Sequence, residues 1–187
     1  MATYFEEFPK VSYKLEKSTI TLTNIFEAFK VKSDVFAKIQ IFFEYHIQDG
    51  ETPEIVAHKL YGDISLEWII LMFNKIHDPY FDWPMSYSVF EKYLATKYGS
   101  IEQSTQQTHH YEWIVFKKTY NDYGEVIPEK VIIVDEKTYL GLDASDRREI
   151  KCYDYEVALN EKRRSINVPD SRYITQLIAE KQRVFNR

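Results

Sequence analysis

The chain has 187 residues, with 24 basic and 29 acidic side chains, a single cysteine and only five glycines. Average usage would give about 13 glycines in a chain of this length, so long flexible linkers and glycine-rich phosphate loops are nearly excluded. The lone Cys152 excludes an intramolecular disulfide framework and a cysteine-based zinc site. The sequence pI of about 5.6 argues against general nucleic-acid binding.

Membrane insertion and secretion are also unexpected from the sequence. The longest apolar run, Trp68–Phe73, is about one third of the length that a membrane span needs. The opening residues Met1–Phe8 carry acidic side chains where a secretory signal has a basic start and an apolar core. We therefore expect a soluble protein that is made in the cytoplasm and is not inserted into a membrane.

Composition divides the chain into three segments. Residues 1–41 are rich in apolar side chains without a helical period, which indicates an extended N-terminal arm with short strands such as Thr19–Thr23. Such an arm must fold back or lie on a partner. Residues 42–98 form a more acidic module, and 99–187 form a C-terminal α+β region. Its basic end, residues 147–187, is either a solvated mixed surface or a face that meets an acidic neighbour.

The module over 42–98 has the clearest local signals. Residues Phe42–Ile47 alternate as a strand, and Thr52 followed by Pro53 predicts the start of a helix. Gly62 is placed to end that helix. Two further helices are predicted, one capped by Ser65 over Leu66–Phe73 and one running from Ser86 to Tyr98–Gly99.

The C-terminal region predicts a hairpin and a terminal helix. The polar stretch Ser100–His109 is typical of a linker. Residues Tyr111–Tyr120 and Glu129–Val134 are predicted to form the two strands of a hairpin with a longer loop, and a further strand is predicted over Lys151–Val157. Asp170 is placed to cap a last amphipathic helix. The predicted fold class is α+β.

Catalytic and metal-binding signals are weak. Cys152, within the predicted strand, could be activated by a neighbouring cation, but a packed and inert thiol fits the pattern better. His109 and His110 are adjacent, and adjacent strand residues point to opposite faces, which disfavours chelation of one ion. Acidic residues in the loops of the module have turn and cap roles. We therefore predict no enzyme activity, no metal site and no cofactor.

Part of the module resembles a LysM domain. The carrying residues are Tyr45–Asp63, the helix Trp68–Phe73, the following Asn74 and the pair Asp78–Pro79. The resemblance implies a βααβ core, here with an extended N-terminal arm and a C-terminal α+β extension. It departs from the family at Pro53 and in the sequel Tyr80–Met85, which lacks the usual turn and closing strand. It also implies a sugar-binding groove for N-acetylglucosamine polymers, lined here by Gly50, Glu51, Thr52, Asn74, Lys75, Ile76 and His77.

A wider resemblance covers nearly the whole chain. The carrying segments are Tyr4–Val11, the module, Tyr98–Ser100, His109–Glu112, Lys162–Ile166 and Tyr173–Ile174. Together they resemble a baseplate wedge protein of contractile-tailed bacteriophages. This implies a structural subunit of the virion that joins neighbouring wedges around the hub, with six copies in a sixfold baseplate. Binding of peptidoglycan or chitin-like polymers is the alternative.

Aromatic and arginine side chains are enriched in protein interfaces. In this chain they are plentiful outside the LysM-like module. They are the candidate contacts to other wedge proteins: Tyr4, Phe5, Phe8, Arg163, Arg164 and Arg172.

Overall fold

The computed structural model describes residues 8–15, 18–26 and 42–185. The strands are β1 (Lys10–Leu15), β2 (Ser18–Thr23), β3 (Phe42–His46), β4 (Thr108–Phe116), β5 (Thr119–Tyr120), β6 (Val126–Ile127), β7 (Lys130–Val134), β8 (Arg147–Lys151) and β9 (Ser165–Pro169). The helices are α1 (Pro53–Tyr61), α2 (Glu67–Phe73), α3 (Pro79–Asp82), α4 (Tyr87–Tyr98), α5 (Ile101–Gln106), α6 (Glu136–Gly141), α7 (Cys152–Lys162) and α8 (Ile174–Phe185). Short 3₁₀ turns precede α2 and α8, at Ile64–Leu66 and Ser171–Tyr173.

This mixture of helices and antiparallel strands confirms the α+β class. The chain divides into two compact units, which we call unit 1 (Met1–Pro84 with Arg163–Arg187) and unit 2 (Met85–Lys162). These boundaries do not coincide with the segment boundaries predicted at 41/42 and 98/99, and the three segments stay a prediction. In the part of the chain that the structure describes, no helix combines the length and the apolar character needed to cross a bilayer.

Unit 1 is organised around a two-stranded antiparallel sheet of β3 and β9. Phe42 lies opposite Pro169 and His46 opposite Ser165. Helices α1 and α2 lie between these strands in sequence, so the order is strand, helix, helix and, much later, strand. Apolar side chains from both strands and from α1, α2 and α8 form one core; its fully buried members are Ile47, Val56, Ala57, Ile69, Ile70, Val168 and Leu177.

Local signals explain where α1 and α2 begin and end. Helix α1 starts at Pro53, after Thr52 in an extended conformation, and it ends at Tyr61, followed by the cap Gly62, whose φ of +76° suits glycine. The cap of the second helical segment differs from the prediction. Ser65 is not the cap, because the carboxylate of Asp63 accepts hydrogen bonds from the Ser65 amide and hydroxyl and starts a 3₁₀ turn before α2.

The strand that closes the unit 1 sheet comes from the far end of the chain. After α2 the chain enters the short helix α3, where Asp78 accepts a hydrogen bond from the Tyr80 amide. The pairing partner of β3 is β9, which arrives only after the whole of unit 2. Asn74, at the end of α2, bonds directly to the backbone of Asn167 in β9.

Unit 2 contains a three-stranded antiparallel sheet in the order β7-β4-β8, with the small hairpin of β5 and β6 between β4 and β7 in sequence. The predicted hairpin of Tyr111–Tyr120 with Glu129–Val134 is confirmed in its main pairing. The linker predicted over Ser100–His109 is wrong, because Ser100 caps α5 by accepting a hydrogen bond from the Gln103 amide.

The strand predicted over Lys151–Val157 is also wrong. Strand β8 ends at Lys151, and Cys152 already begins α7. The buried residues of α7 are Cys152, Glu156 and Asn160, spaced four apart as on one face of a helix. Asn160 fixes the start of the unit, since its side chain accepts from the Met85 amide at 2.8 Å and donates to the Met85 carbonyl at 3.1 Å.

Candidate interaction surfaces

The first predicted groove loop, between β3 and α1, is held by a buried carboxylate. Glu51 accepts hydrogen bonds from the Tyr45 hydroxyl, the Gln48 amide and Lys59 Nζ. Its backbone carbonyl accepts the indole N–H of Trp83 at 2.7 Å. Burial alone would raise the pKa of Glu51, but the bonds from Lys59, Gln48 and Tyr45 lower it below its ordinary value. Glu51 thus braces the loop, while Gly50 and Thr52 beside it are exposed.

The second predicted groove loop follows α2 and is held by Asn74. Its side-chain amide donates to the carbonyls of Ile70 at 2.9 Å and Asn167 at 2.8 Å, and its oxygen accepts the Asn167 amide at 2.8 Å. Lys75 then adopts a positive φ of 56°, the left-handed region that reverses the chain. Lys75 and His77 are exposed and Ile76 is half-buried against the core of unit 1.

The predicted arginine contacts have different surroundings. Arg164 is largely buried, with its guanidinium 3.5 Å from Asp49 and bonded to the Ile47 carbonyl at 3.4 Å. Arg163 is half-buried. Arg172 is exposed and pairs with Asp170, two residues before it, at 3.0 Å. Arg172 is therefore the most accessible of the three, and Arg164 contributes to the fold of the β3–β9 end.

None of the three predicted aromatic contacts is seen on the surface of the described structure. Tyr4 and Phe5 lie outside the described residues. Phe8 is only 3% exposed and belongs to the core of unit 1. Phe8 therefore packs inside unit 1 and is not exposed to a partner.

An apolar surface that the sequence did not single out lies on the β1–β2 hairpin. Val11 faces Leu22 and Tyr13 faces Ile20 across the two strands. Because strand residues alternate between faces, these side chains share one face with Leu15. Each of the five is 41–55% exposed. We call this set the hairpin apolar face: Val11, Tyr13, Leu15, Ile20 and Leu22.

The opposite face of the hairpin is polar throughout. It carries lysine, serine and threonine, and Lys10 Nζ donates to the hydroxyl of Thr23 at 3.0 Å. The hairpin is therefore amphipathic, and among the described residues no other strand pairs with it. Apolar and polar residues alternate along both strands in the sequence, and this alternation predicted a strand only at Thr19–Thr23.

Cys152, His109 and His110, the candidates for catalysis or metal binding, all lie in unit 2. Cys152 is buried at the start of α7. The expectation that His109 and His110 point apart is wrong, because the β4–β8 register shifts between Thr108 and His110 and the two Nδ1 atoms lie 2.7 Å apart. Burial and the charge of His110 lower the pKa of His109, which stacks on Tyr155. No group of three or more metal-ligating side chains occurs among the described residues.

Comparison with known proteins places these features in a family. The family model described as base plate wedge protein 53 matches residues 2–184 of the chain. A curated relative, the baseplate wedge protein gp53 of Enterobacteria phage T4, is 26% identical over 182 residues, which cover 89% of this chain and 86% of the relative. Both matches therefore extend over the β3–β9 unit as well as the segment inserted into it.

Proposed function

The chain belongs to the base plate wedge protein 53 family, and we propose that it joins neighbouring wedges by docking its exposed surfaces on other wedge proteins. Membership gives it a structural role in the tail baseplate of the phage virion. In the proposal each wedge contributes one copy, so a sixfold baseplate carries six. The protein acts without catalysis and without a cofactor, by holding its partners in register.

The core of unit 1 is, in this proposal, a LysM-like module used for protein docking. The order β3, α1, α2, β9 and the antiparallel pairing of its two strands support the assignment. The module differs from a contiguous βααβ unit because unit 2 interrupts it before the closing strand. Glu51 and Asn74, one in each groove loop, are hydrogen-bonded within unit 1. Because these two side chains hold the loops within the unit, a structural role for the groove loops is favoured over sugar recognition.

The hairpin apolar face is the observation that carries the proposal. Two-stranded hairpins are only marginally stable alone, and burying one leucine side chain contributes about 1.5–3 kcal/mol. Burying these five adjacent exposed apolar side chains on a partner would therefore contribute a large favourable free energy to binding. Interfaces of permanent complexes are built around such apolar surfaces, and the opposite face, with its lysine and threonine side chains, remains accessible to solvent.

The test introduces one charge on each side of the hairpin. Leu22→Lys places an ammonium in the hairpin apolar face, and Thr21→Lys places the same charge on the opposite, polar face. Each full-length variant is mixed with the other wedge components of the phage and sedimented. We expect Leu22→Lys to weaken incorporation about 10–100-fold, from the loss of apolar burial, while Thr21→Lys assembles like the parent.

Thermal unfolding of the free proteins provides the control for folding. Both positions lie on exposed strands, so the midpoints should agree within error. If Leu22→Lys enters wedges as well as Thr21→Lys does, the hairpin apolar face is not a docking surface. If the parent itself stays free in the presence of all wedge components, the joining role fails.

A further inference from the structure

The two edges of the unit 2 sheet differ in chemistry. In the order β7-β4-β8, both β7 and β8 are edge strands. Strand β8 reads Arg-Arg-Glu-Ile-Lys over Arg147–Lys151, and charged side chains of this kind discourage pairing with another chain. Strand β7 reads Lys-Val-Ile-Ile-Val over Lys130–Val134, with no charge after its first residue. Only one of the two edges is therefore protected against strand addition.

Apart from Lys130 at its start, β7 lacks the features that usually protect an edge. It contains no proline, and the irregularity in its pairing lies on β4, between Ile114 and Phe116. Ile132 is 44% exposed and Ile133 is 69% exposed. Within the described residues, β4 is the sole strand that pairs with β7. An edge that is apolar, regular and unpaired is a template for an additional strand.

The charges around β7 define the chemistry of that strand. Arg148 of β8 bonds both to Glu112 of β4 and to Glu129, the residue directly before β7, so two carboxylates share one guanidinium. Asp135 and Glu136 follow directly after β7. Unit 2 as a whole has 14 acidic and 10 basic side chains. A partner strand that carries lysine or arginine fits this acidic surrounding, and an acidic one is repelled.

We propose that the free edge of β7 pairs with an extended strand of another baseplate protein, a strand that alternates apolar residues with at least one lysine or arginine. Backbone hydrogen bonds supply the binding, Ile132 and Ile133 select apolar side chains on the two faces, and the acidic surrounding selects the basic residue. This inference rests on the proposed assembly role and adds a second contact to the hairpin apolar face.

Two variants with the same charge change test the edge. Ile133→Lys places an ammonium on β7, and Leu140→Lys places one on α6 at a position of similar exposure, 64%. With the full-length proteins and the other wedge components of the phage, we expect Ile133→Lys to reduce incorporation tenfold or more and Leu140→Lys to leave it unchanged. The reduction should grow at low salt, where charge repulsion is less screened.

Amide hydrogen exchange tests the same inference in the unaltered protein. Alternate N–H groups of an edge strand point away from the sheet, so about two of the four amides of residues 131–134 should gain tenfold or greater protection on assembly. This readout holds even if Ile133→Lys folds poorly.

The outcomes separate the two proposals. Equal incorporation of both variants, or unchanged exchange over residues 131–134 in assembled wedges, overturns the strand-addition inference and leaves the joining role intact. A parent protein that does not assemble removes both proposals.

Discussion

Asn74 shows how one polar side chain can fix the closing strand of unit 1. It ends α2, and its carboxamide makes both an accepted and a donated bond with the backbone of Asn167. A side chain that pairs with both backbone groups of one strand residue substitutes for a neighbouring strand at that point. Asn74 therefore couples the helical pair to a strand that is 93 residues away in sequence.

Replacing this residue should weaken unit 1. We expect Asn74→Ala to lower the free energy of unfolding by about 1–3 kcal/mol, because three hydrogen bonds are lost at about 1 kcal/mol each and partly replaced by water. Urea denaturation followed by circular dichroism measures the change. Lys75→Ala, at the exposed neighbouring position, is the control and should shift the midpoint little. A change below about 0.5 kcal/mol for Asn74→Ala would contradict this role.

At the level of elements, α4 and α7 are joined by a buried carboxylate. Glu156 on α7 accepts hydrogen bonds from Lys97 Nζ at 2.6 Å, the Tyr98 hydroxyl at 2.8 Å and the Tyr93 hydroxyl at 3.3 Å. Burial alone would raise the pKa of Glu156, but Lys97 and Tyr98 lower it below its ordinary value of 4.5. Burial and the same carboxylate raise the pKa of Tyr98 to about 12. The contact is therefore strongest when Glu156 is ionised.

This arrangement predicts a pH-dependent stability. Because the folded-state pKa of Glu156 lies below the unfolded value, its contribution is fully present above about pH 4.5 and is lost as the pH falls through the folded-state pKa. We expect Glu156→Gln to cost about 1–3 kcal/mol near neutral pH. The difference from the parent should shrink in acid, as measured by urea unfolding at a series of pH values.

The exposed Asp154 on the same helix offers a matched control. Asp154→Asn removes one carboxylate from α7 without touching the contact with α4, and its effect should be small at every pH. A penalty for Glu156→Gln that stays constant into acid would show that the ionised carboxylate is not what joins the helices.

Local signals predicted several elements correctly, and non-local pairing limited the rest. Thr52, Pro53 and Gly62 act within one helix, so α1 could be located from its own residues. Strands β3 and β9 pair with each other although the whole of unit 2 separates them in sequence, and no local pattern contains such a pairing. Helix α7 resembled a strand because its buried positions include the polar Glu156 and Asn160, which hide the helical period of its core face.

The candidate surfaces were predicted less well for a related reason. A side chain's type does not tell whether it faces a core or a partner, so Phe8 was taken as a contact although unit 1 buries it. Arg164 was likewise expected at an interface, and its guanidinium instead holds the Ile47 carbonyl. The β7 edge could not be predicted, because strand order within a sheet decides which strand has a free side.

On the scale of the whole molecule, the two units are built with unequal cores. Among the described residues, unit 1 has a buried cluster of thirteen hydrophobic side chains. Within the described part of unit 2, the buried hydrophobic residues are Phe90, Leu94 and Cys152. Several large apolar side chains of unit 2 are exposed instead, among them Trp113, Phe116 and Ile133. Since apolar burial is the main stabilising contribution to folding, unit 2 should be the less stable.

We expect the free protein to unfold in two steps, with unit 2 first. Amide exchange at increasing urea should show α4 and α7 losing protection at a lower concentration than β3 and α1. In the Trp113→Phe variant, tryptophan fluorescence reports the unfolding of unit 1 alone, because the remaining tryptophans, Trp68 and Trp83, both lie in that unit. A single transition shared by all four elements would contradict the prediction that unit 2 unfolds first.

The pairing of β3 with β9 also sets a delay during synthesis. His46 and its partner Ser165 are separated by 119 positions, and ribosomes add about 5–20 residues per second, so β3 waits about 6–24 s for its partner strand. Phe42 and Phe43 remain on an unpaired strand throughout that interval, while unit 2 is completed in between. For those seconds each unfinished chain therefore carries an unpaired apolar strand to which a neighbouring nascent chain can add.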